Sequence, residues 1–287
     1  MSQSRRDYLE IAVFFWAMGF QRNVRTKVLT DKDGGILDDR YWASIVLEAK
    51  NKFGYVRDIE RTLSRLKKMV PDFDPGEEFF EKNIGLRPSG TIQQLANCFE
   101  LSNPLVKPFN SHAELLQYSF RKWLTGLVAS VYGKPSEFTL VLTDHPFAIE
   151  FFQLLLPKEL ARYCTDTNLC SGRSAKRHMC DNILVYDFDL NPNTNAKRAR
   201  FNSLATKDMF TFRNQGQYSD RKRLAVLGGI VSNAQSLERL LNYPACNRRI
   251  IPVYIDNIDE AAFKAIDKTA LLMEAFHAWK EETSTPL

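Results

Sequence analysis

The spacing of apolar positions changes character near residue 135. Before that point they recur mostly at three- and four-residue intervals; after it they come as short β-branched runs between helical stretches. RRDYLEIAVFFWAM (5–18) is apolar on nearly every face, which predicts a buried helix or a short pair of strands. TDKDGG (30–35) is a turn. DDRYWASIVLEAKNKFG (38–54) opens on an N-cap aspartate and closes on glycine, as a helix does. In VRDIERTLSRLKKMV, Val56, Ile59, Leu63, Leu66 and Val70 share one helix face and basic residues take the other. PDFDPGEEFF (71–80) breaks the pattern twice with proline and marks a joint. Two further helices are predicted, TIQQLANCFEL (91–101) and SHAELLQYSFRKWLTGLVASVYG (111–133), the second opened by a Ser111–Glu114 capping box.

Beyond Lys134-Pro135, the strands FTLVLT, NILVYDF, RLAVLGGIVS and RIIPVYI alternate with the helices AIEFFQLLL, NAKRARFNSLA and AQSLERLL. Such alternation predicts a mostly parallel sheet covered on both faces. DEAAFKAIDKTALLMEAFHAWKEE (259–282) predicts one long amphipathic closing helix. The expected organisation is a mainly helical region over 1–85, a helical lead-in over 86–135, an α/β core over 136–257 and a C-terminal helix over 258–287. There is no internal repeat.

Composition adds little: 44% of the 287 residues are hydrophobic and 25% charged, which indicates a folded chain with a sizeable core. The apolar runs are well short of the roughly 20 residues of a membrane span, and the first lacks a signal-peptide cleavage site, so a cytoplasmic protein without membrane contact is expected. Cysteines 98, 164, 170, 180 and 246 lack CxxC pairing. A zinc set of Cys164, Cys170, His178 and Cys180 has loose spacing, and buried reduced thiols are the better reading. His112 and His145, near helix starts, read as structural. Charge is more telling. The net charge is +5, yet residues 173–223 alone hold eleven Lys or Arg against five Asp. Lys197, Arg198, Arg200, Lys207 and Arg213 are the candidate nucleic-acid contacts of that stretch.

Ligands of an α/β sheet gather at the carboxyl ends of its strands. TLVLTDHPFAIE (139–150) is a strand entering a helix, where a phosphate loop of the form G-x-x-x-x-G-K-[ST] would stand. Aligned without a gap, its glycines fall on Leu142 and Phe147, its lysine on Ala148 and its hydroxyl on Ile149. Glycines that let backbone N–H groups approach phosphate, the lysine for the β- and γ-phosphates and the hydroxyl for magnesium are all replaced. Phe147 and Ile149 are expected to bury the helix N-terminus that would receive the anion. NILVYDF ends on Asp187 as a Walker B strand does, but Phe188 stands where the water-polarising carboxylate would follow, and Asp189 belongs to the opposite face. Asn233 follows the third strand in a sensor position. Asn247, Arg248 and Arg249 precede the fourth, where adjacent arginines suit an arginine finger, a phosphate contact or an intersubunit ion pair.

Over residues 30–257 the chain resembles the virulence-associated protein E family, whose core is a superfamily-three-helicase-like AAA+ ATPase of phages and mobile elements. The resemblance rests on LDDR, FDPGEEFFEK, TIQQLANCFEL, FRKWLTGLVASVYGKP, LLLPKEL, NILVYDFD and CNRRIIPV, in shared order and spacing. It implies an AAA+-like P-loop NTPase core in which intact members bind ATP and magnesium and act on DNA as rings. Here Asn247, Arg248, Arg249 and Asp187 match, while the loop, the catalytic acid and the glycine at Cys246 do not. The expected protein is therefore a pseudo-ATPase with no cofactor and no catalytic residue, an accessory that binds DNA, a second copy of itself or an active helicase or primase relative. Two other readings stand beside it. One is an NTPase with an atypical site that uses ATP and magnesium through Lys134 or Lys158 and Asp187. The other is a protein-only interaction module.

Overall fold

The computed structural model describes residues 3–32, 35–54, 58–102, 108–214, 217–243 and 248–284. The chain forms two compact units, Met1–Pro75 and Gly76–Leu287. They part within the proline-broken PDFDPGEEFF (71–80), and Phe79 and Phe80 are buried in the second unit, where Phe80 stacks on Phe276 at 5.1 Å.

The first unit holds α1 (Gln3–Trp16), β1 (Gln21–Asn23), β2 (Leu29–Thr30), α2 (Asp39–Phe53), α3 (Ile59–Lys68) and β3 (Asp72–Phe73). The ambiguous first segment is a helix. Its Ile11, Phe14 and Phe15 join Ile45 and Ala49 of α2 and Ile59, Leu63 and Leu66 of α3 in one apolar core. Asp38 caps α2 through a 2.7 Å bond from Tyr41 N, and Gly54 closes it at φ 65°, a conformation suited to glycine. The small sheet, in the order β2–β1–β3, has strands too short to show periodicity in sequence. A buried ion pair fastens it: Arg25 Nε meets Asp74 Oδ1 at 3.0 Å.

The second unit is a three-layer α/β domain. Around its sheet lie α4 (Pro75–Lys82), α5 (Thr91–Asn97), α6 (His112–Val131), α7 (Ala148–Gln153), α8 (Arg173–Asp181), α9 (Asn195–Thr206), α10 (Ala234–Leu241), α11 (Glu260–Ala265) and α12 (Lys268–Ser284). The sheet is formed by β5 (Thr139–Thr143), β6 (Cys164–Asp166), β7 (Leu184–Asp187), β10 (Val226–Val231) and β11 (Ile250–Val253), all parallel, in the order β11–β5–β10–β7–β6. Alternate residues serve opposite faces. Leu140, Leu142, Leu184, Tyr186 and Ile230 pack against α5, α6, α7 and α12. Val141, Val185, Leu227 and Val231 pack against α8, α9 and α10. In the central strand, a Cβ on Gly228 would come within 2.4 Å of the Phe152 ring, so glycine there lets α7 lie close on the sheet. The predicted α/β architecture is the one observed.

Three segments depart from expectation. The closing helix is two, α11 and α12, because the Asp267 carboxylate accepts from Thr269 N and Ala270 N and starts a new helix. CFEL is not helical: β4 (Phe99–Leu101) pairs antiparallel with β12 (Ile255–Ile258). The basic stretch contains an unforeseen antiparallel hairpin, β8 (Met209–Asn214) with β9 (Gln217–Lys222), which buries Phe210 and Phe212.

Candidate functional site

The strand order creates one switch point. The chain leaves β5 through α7 for β6 at one edge, and leaves β10 through α10 for β11 beyond β5. The connections from these adjacent strands leave in opposite directions, and the carboxyl ends of such strands are where an α/β protein binds its ligand. Residues 144–147 and Ser232–Asn233 follow these strand ends.

The residues aligned with a phosphate loop stand from the end of β5 to the start of α7, and three of the four are buried. Phe147 is 1% exposed and its ring meets Phe263 edge-on at 5.5 Å. Leu142 and Ala148 are fully buried. Ile149 departs from expectation: it is 42% exposed, one helical position round from the core-facing Ala148. The loop's amides are engaged too. His145 Nδ1 accepts from Phe147 N at 3.2 Å, and His145 O accepts from Ala148 N at 2.8 Å. At the strand end the Thr143 hydroxyl accepts from Ile255 N at 2.7 Å. A phosphate-binding loop turns such N–H groups toward the anion; here they close on the loop itself.

Asp187 is 3% exposed at the end of β7. Its Oδ2 accepts from Leu169 N at 2.7 Å and its Oδ1 from Asp189 N at 3.1 Å. Burial pushes its carboxyl above the usual range, an effect that the nearby Asp189 and Asp166 charges add to and these two amide bonds oppose. The carboxylate thus ties the loop after β6 to the turn after β7. Phe188 is exposed beside it, and Asp144, Asp166 and Asp189 are exposed at the same end of the sheet. Asn233 caps α10, its Oδ1 accepting from Ser236 N at 2.8 Å.

The arginine block falls elsewhere. Asn247 lies outside the described residues, as does Cys246. Arg248 is exposed and Arg249 largely covered, both at the amino end of β11, a strand length from Asp187 and Asn233. Arg249 Nε meets Glu137 Oε2 at 2.9 Å, its guanidinium reaches Asn202 Oδ1 at 3.1 Å, and its carbonyl accepts from Thr139 N. It braces β5 against α9. Lys134 follows α6 at this same amino edge, donating its N–H to Ala129 O. Lys158 lies after α7 and lines a cavity with Lys264 and Lys268.

The basic stretch divides by environment. Arg223 is fully buried: it donates to Leu204 O at 3.0 Å, Ala205 O at 2.6 Å and Ser136 O, closing the carboxyl end of α9. Burial lowers its pKa to about 10, against the opposing Asp208 and Glu137 charges. Arg221 pairs with Asp181. Arg198 lies over Tyr243 at 5.4 Å and Arg213 over Tyr218 at 5.8 Å. Arg200 and Lys207 are exposed on or just after α9, and Lys197 is half-buried in its first turn. Cys98, Cys164, Cys170 and Cys180 form no disulfide with one another. Burial pushes the Cys164 thiol up to about 12 and the Cys170 thiol up to about 11, which disfavours the thiolate a metal needs.

Together these features are those of an α/β core with a five-stranded parallel sheet, consistent with a P-loop-like fold, in which the residues that follow the first core strand are apolar and buried at Phe147 and Ala148. No family model matches the chain, and no curated protein matches it. Among solved structures it is similar to the "A form apo structure of NrS-1 C terminal region-CTR", with a TM-score of 0.47 and 10% identity over 92% of this chain and 68% of that one. A second structure of that region, "CTR(305-718)", gives 0.49 and 10% identity over 94% and 68%. Likeness at this level transfers neither family nor activity.

Proposed function

We propose that this chain is a non-hydrolysing P-loop-type protein of the virulence-associated protein E kind, serving a mobile genetic element or prophage as an accessory that binds DNA. The observation that carries the reading is Phe147, a buried aromatic ring at the position of the second loop glycine, with the flanking amides bonded to His145. An anion entering there would have to displace the ring and break both bonds. Asp187 holds backbone amides, and the exposed side chains at this end of the sheet include three aspartates, unfavourable for a triphosphate. Loss of a single electrostatic contact to a developing charge costs about 3 kcal/mol of transition-state stabilisation; here the loop lysine, hydroxyl and catalytic acid are all missing from sequence. DNA binding is carried by Arg200 and Lys207, with Lys197, Arg198 and Arg213 contributing through positions partly held by their neighbours. Steady-state phosphate release in the presence of magnesium and DNA tests the reading: background release is expected. Turnover abolished by Asp187→Ala would establish the NTPase reading instead.

A further inference from the structure

Helix α3 carries three cations at i, i+4 and i+7: Arg61, Arg65 and Lys68 are all exposed, on the side opposite the buried Ile59, Leu63, Leu66 and Val70. The two other charges on the helix are accounted for. Lys50 of α2 meets Glu60, and Lys67 lies over the Trp42 ring at 4.5 Å. Among the described residues, no carboxylate pairs with Arg61, Arg65 or Lys68.

Favourable interaction with the helix dipole accounts for cations in the last turn, where Arg65, Lys67 and Lys68 stand. It does not account for Arg61, the third residue of the helix, where a positive charge opposes the dipole. A role for the whole stripe therefore lies outside the helix. Its local setting is two helices consecutive in the chain, α2 ending at Phe53 and α3 starting at Ile59, with the second presenting the basic face.

We propose that α3 is a duplex-DNA contact, its Arg61, Arg65 and Lys68 meeting successive phosphates along a major groove. Three features select this partner. Seven residues of helix span about 10 Å, the reach of about three phosphates at 3.4 Å of axis each. Helix α3 itself, IERTLSRLKK, contains no aromatic residue on which single-stranded bases would stack. B-form DNA has a major groove wide enough for a helix, whereas the deep, narrow groove of A-form RNA excludes one. The surface lies in the first unit, on different elements from the phosphate-loop position and from α9, so it does not rest on the reading of either.

Fluorescence anisotropy of the full chain with a random-sequence duplex, its single strand and a duplex RNA, over 50–200 mM salt, tests this. The triple variant Arg61→Gln, Arg65→Gln, Lys68→Gln should reduce the slope of log affinity on log salt by about 2.7, from three contacts at about 0.9 each. Wild-type advantage over the variant then shrinks about 40-fold across that salt range. Should the triple variant melt early, Arg65→Gln alone should reduce the slope by about 0.9. An unchanged slope in a folded variant overturns the proposal, as does wild type that binds no duplex or binds single strand or RNA equally well. A slope abolished by Arg200→Gln, Lys207→Gln but untouched by the α3 variant assigns DNA to α9 and overturns it too.

Discussion

The rings of Phe147 and Phe263 meet edge-on with centroids 5.5 Å apart, and the Lys264 ammonium lies 4.9 Å from the centre of the Phe147 ring. This contact joins the start of α7 to α11, so the residue at the phosphate-loop position is part of the core of the second unit. Lys264 in turn pairs with Glu150 and Glu260, each at 3.4 Å. Packing and ion pairs therefore hold the start of α7 against α11.

Phe147→Ala should lower stability by about 3–5 kcal/mol, the usual cost of removing a buried phenylalanine. Because the variant vacates space without restoring lysine, hydroxyl or free amides, it should gain no nucleotide affinity. Denaturant unfolding with and without magnesium–ATP measures both. A nucleotide-dependent rise in the variant's midpoint would show that the ring alone closes the site.

Asp187 makes a pH-dependent contribution of definite sign. Its folded pKa is raised, so between the usual value near 4 and the raised value the folded state binds more protons than the unfolded state. Stability from this group is then greatest at low pH and falls as pH rises through the folded value. The stability difference between wild type and Asp187→Asn should therefore shrink as pH increases from about 4. Urea titrations of both proteins across pH give that difference directly; a gap that widens with pH would mean that the carboxylate is stabilised when charged.

Arg223 should tolerate no replacement, lysine included. A lysine keeps the charge but lacks the planar fork that reaches Leu204 O, Ala205 O and Ser136 O together. Each carbonyl left without a donor costs about 1–3 kcal/mol. Thermal melts of Arg223→Lys should show a midpoint lower by several degrees, at about 2–4 °C per kcal/mol for a domain of this size. An unchanged midpoint would mean that water replaces the guanidinium.

Arg200→Glu with Lys207→Glu should weaken DNA binding alike for all sequences while leaving the melting temperature unchanged, since both residues are exposed. Arg198→Glu should instead lower stability, because it abandons the Tyr243 ring. Mobility shifts and melts on the same preparations separate the two effects.

The sheet was legible because each long strand is a continuous apolar run, and in a sheet covered on both faces nothing else survives. The burial of Phe147 was legible in the sequence but the exposure of Ile149 was not, because it depends on the angle at which α7 leaves the preceding loop. His145 was recognised as structural; that its imidazole and carbonyl would take two loop amides depended on backbone geometry with no sequence signal. Asp187 matched a motif, yet its partner Leu169 is 18 residues away. The hairpin did have a signal: MFTFRN and QYSDRK flank a glycine-containing turn, with Phe210 and Phe212 alternating. Charge counting obscured it, because eleven cations in one stretch read as a single surface although Arg223 points into the core and Arg221 is paired.

Isothermal calorimetry of the full chain with ATP and magnesium tests the proposed loss of the phosphate site most directly. No saturable heat is expected up to millimolar nucleotide. Saturable, magnesium-dependent binding that Asp187→Ala abolishes would contradict it.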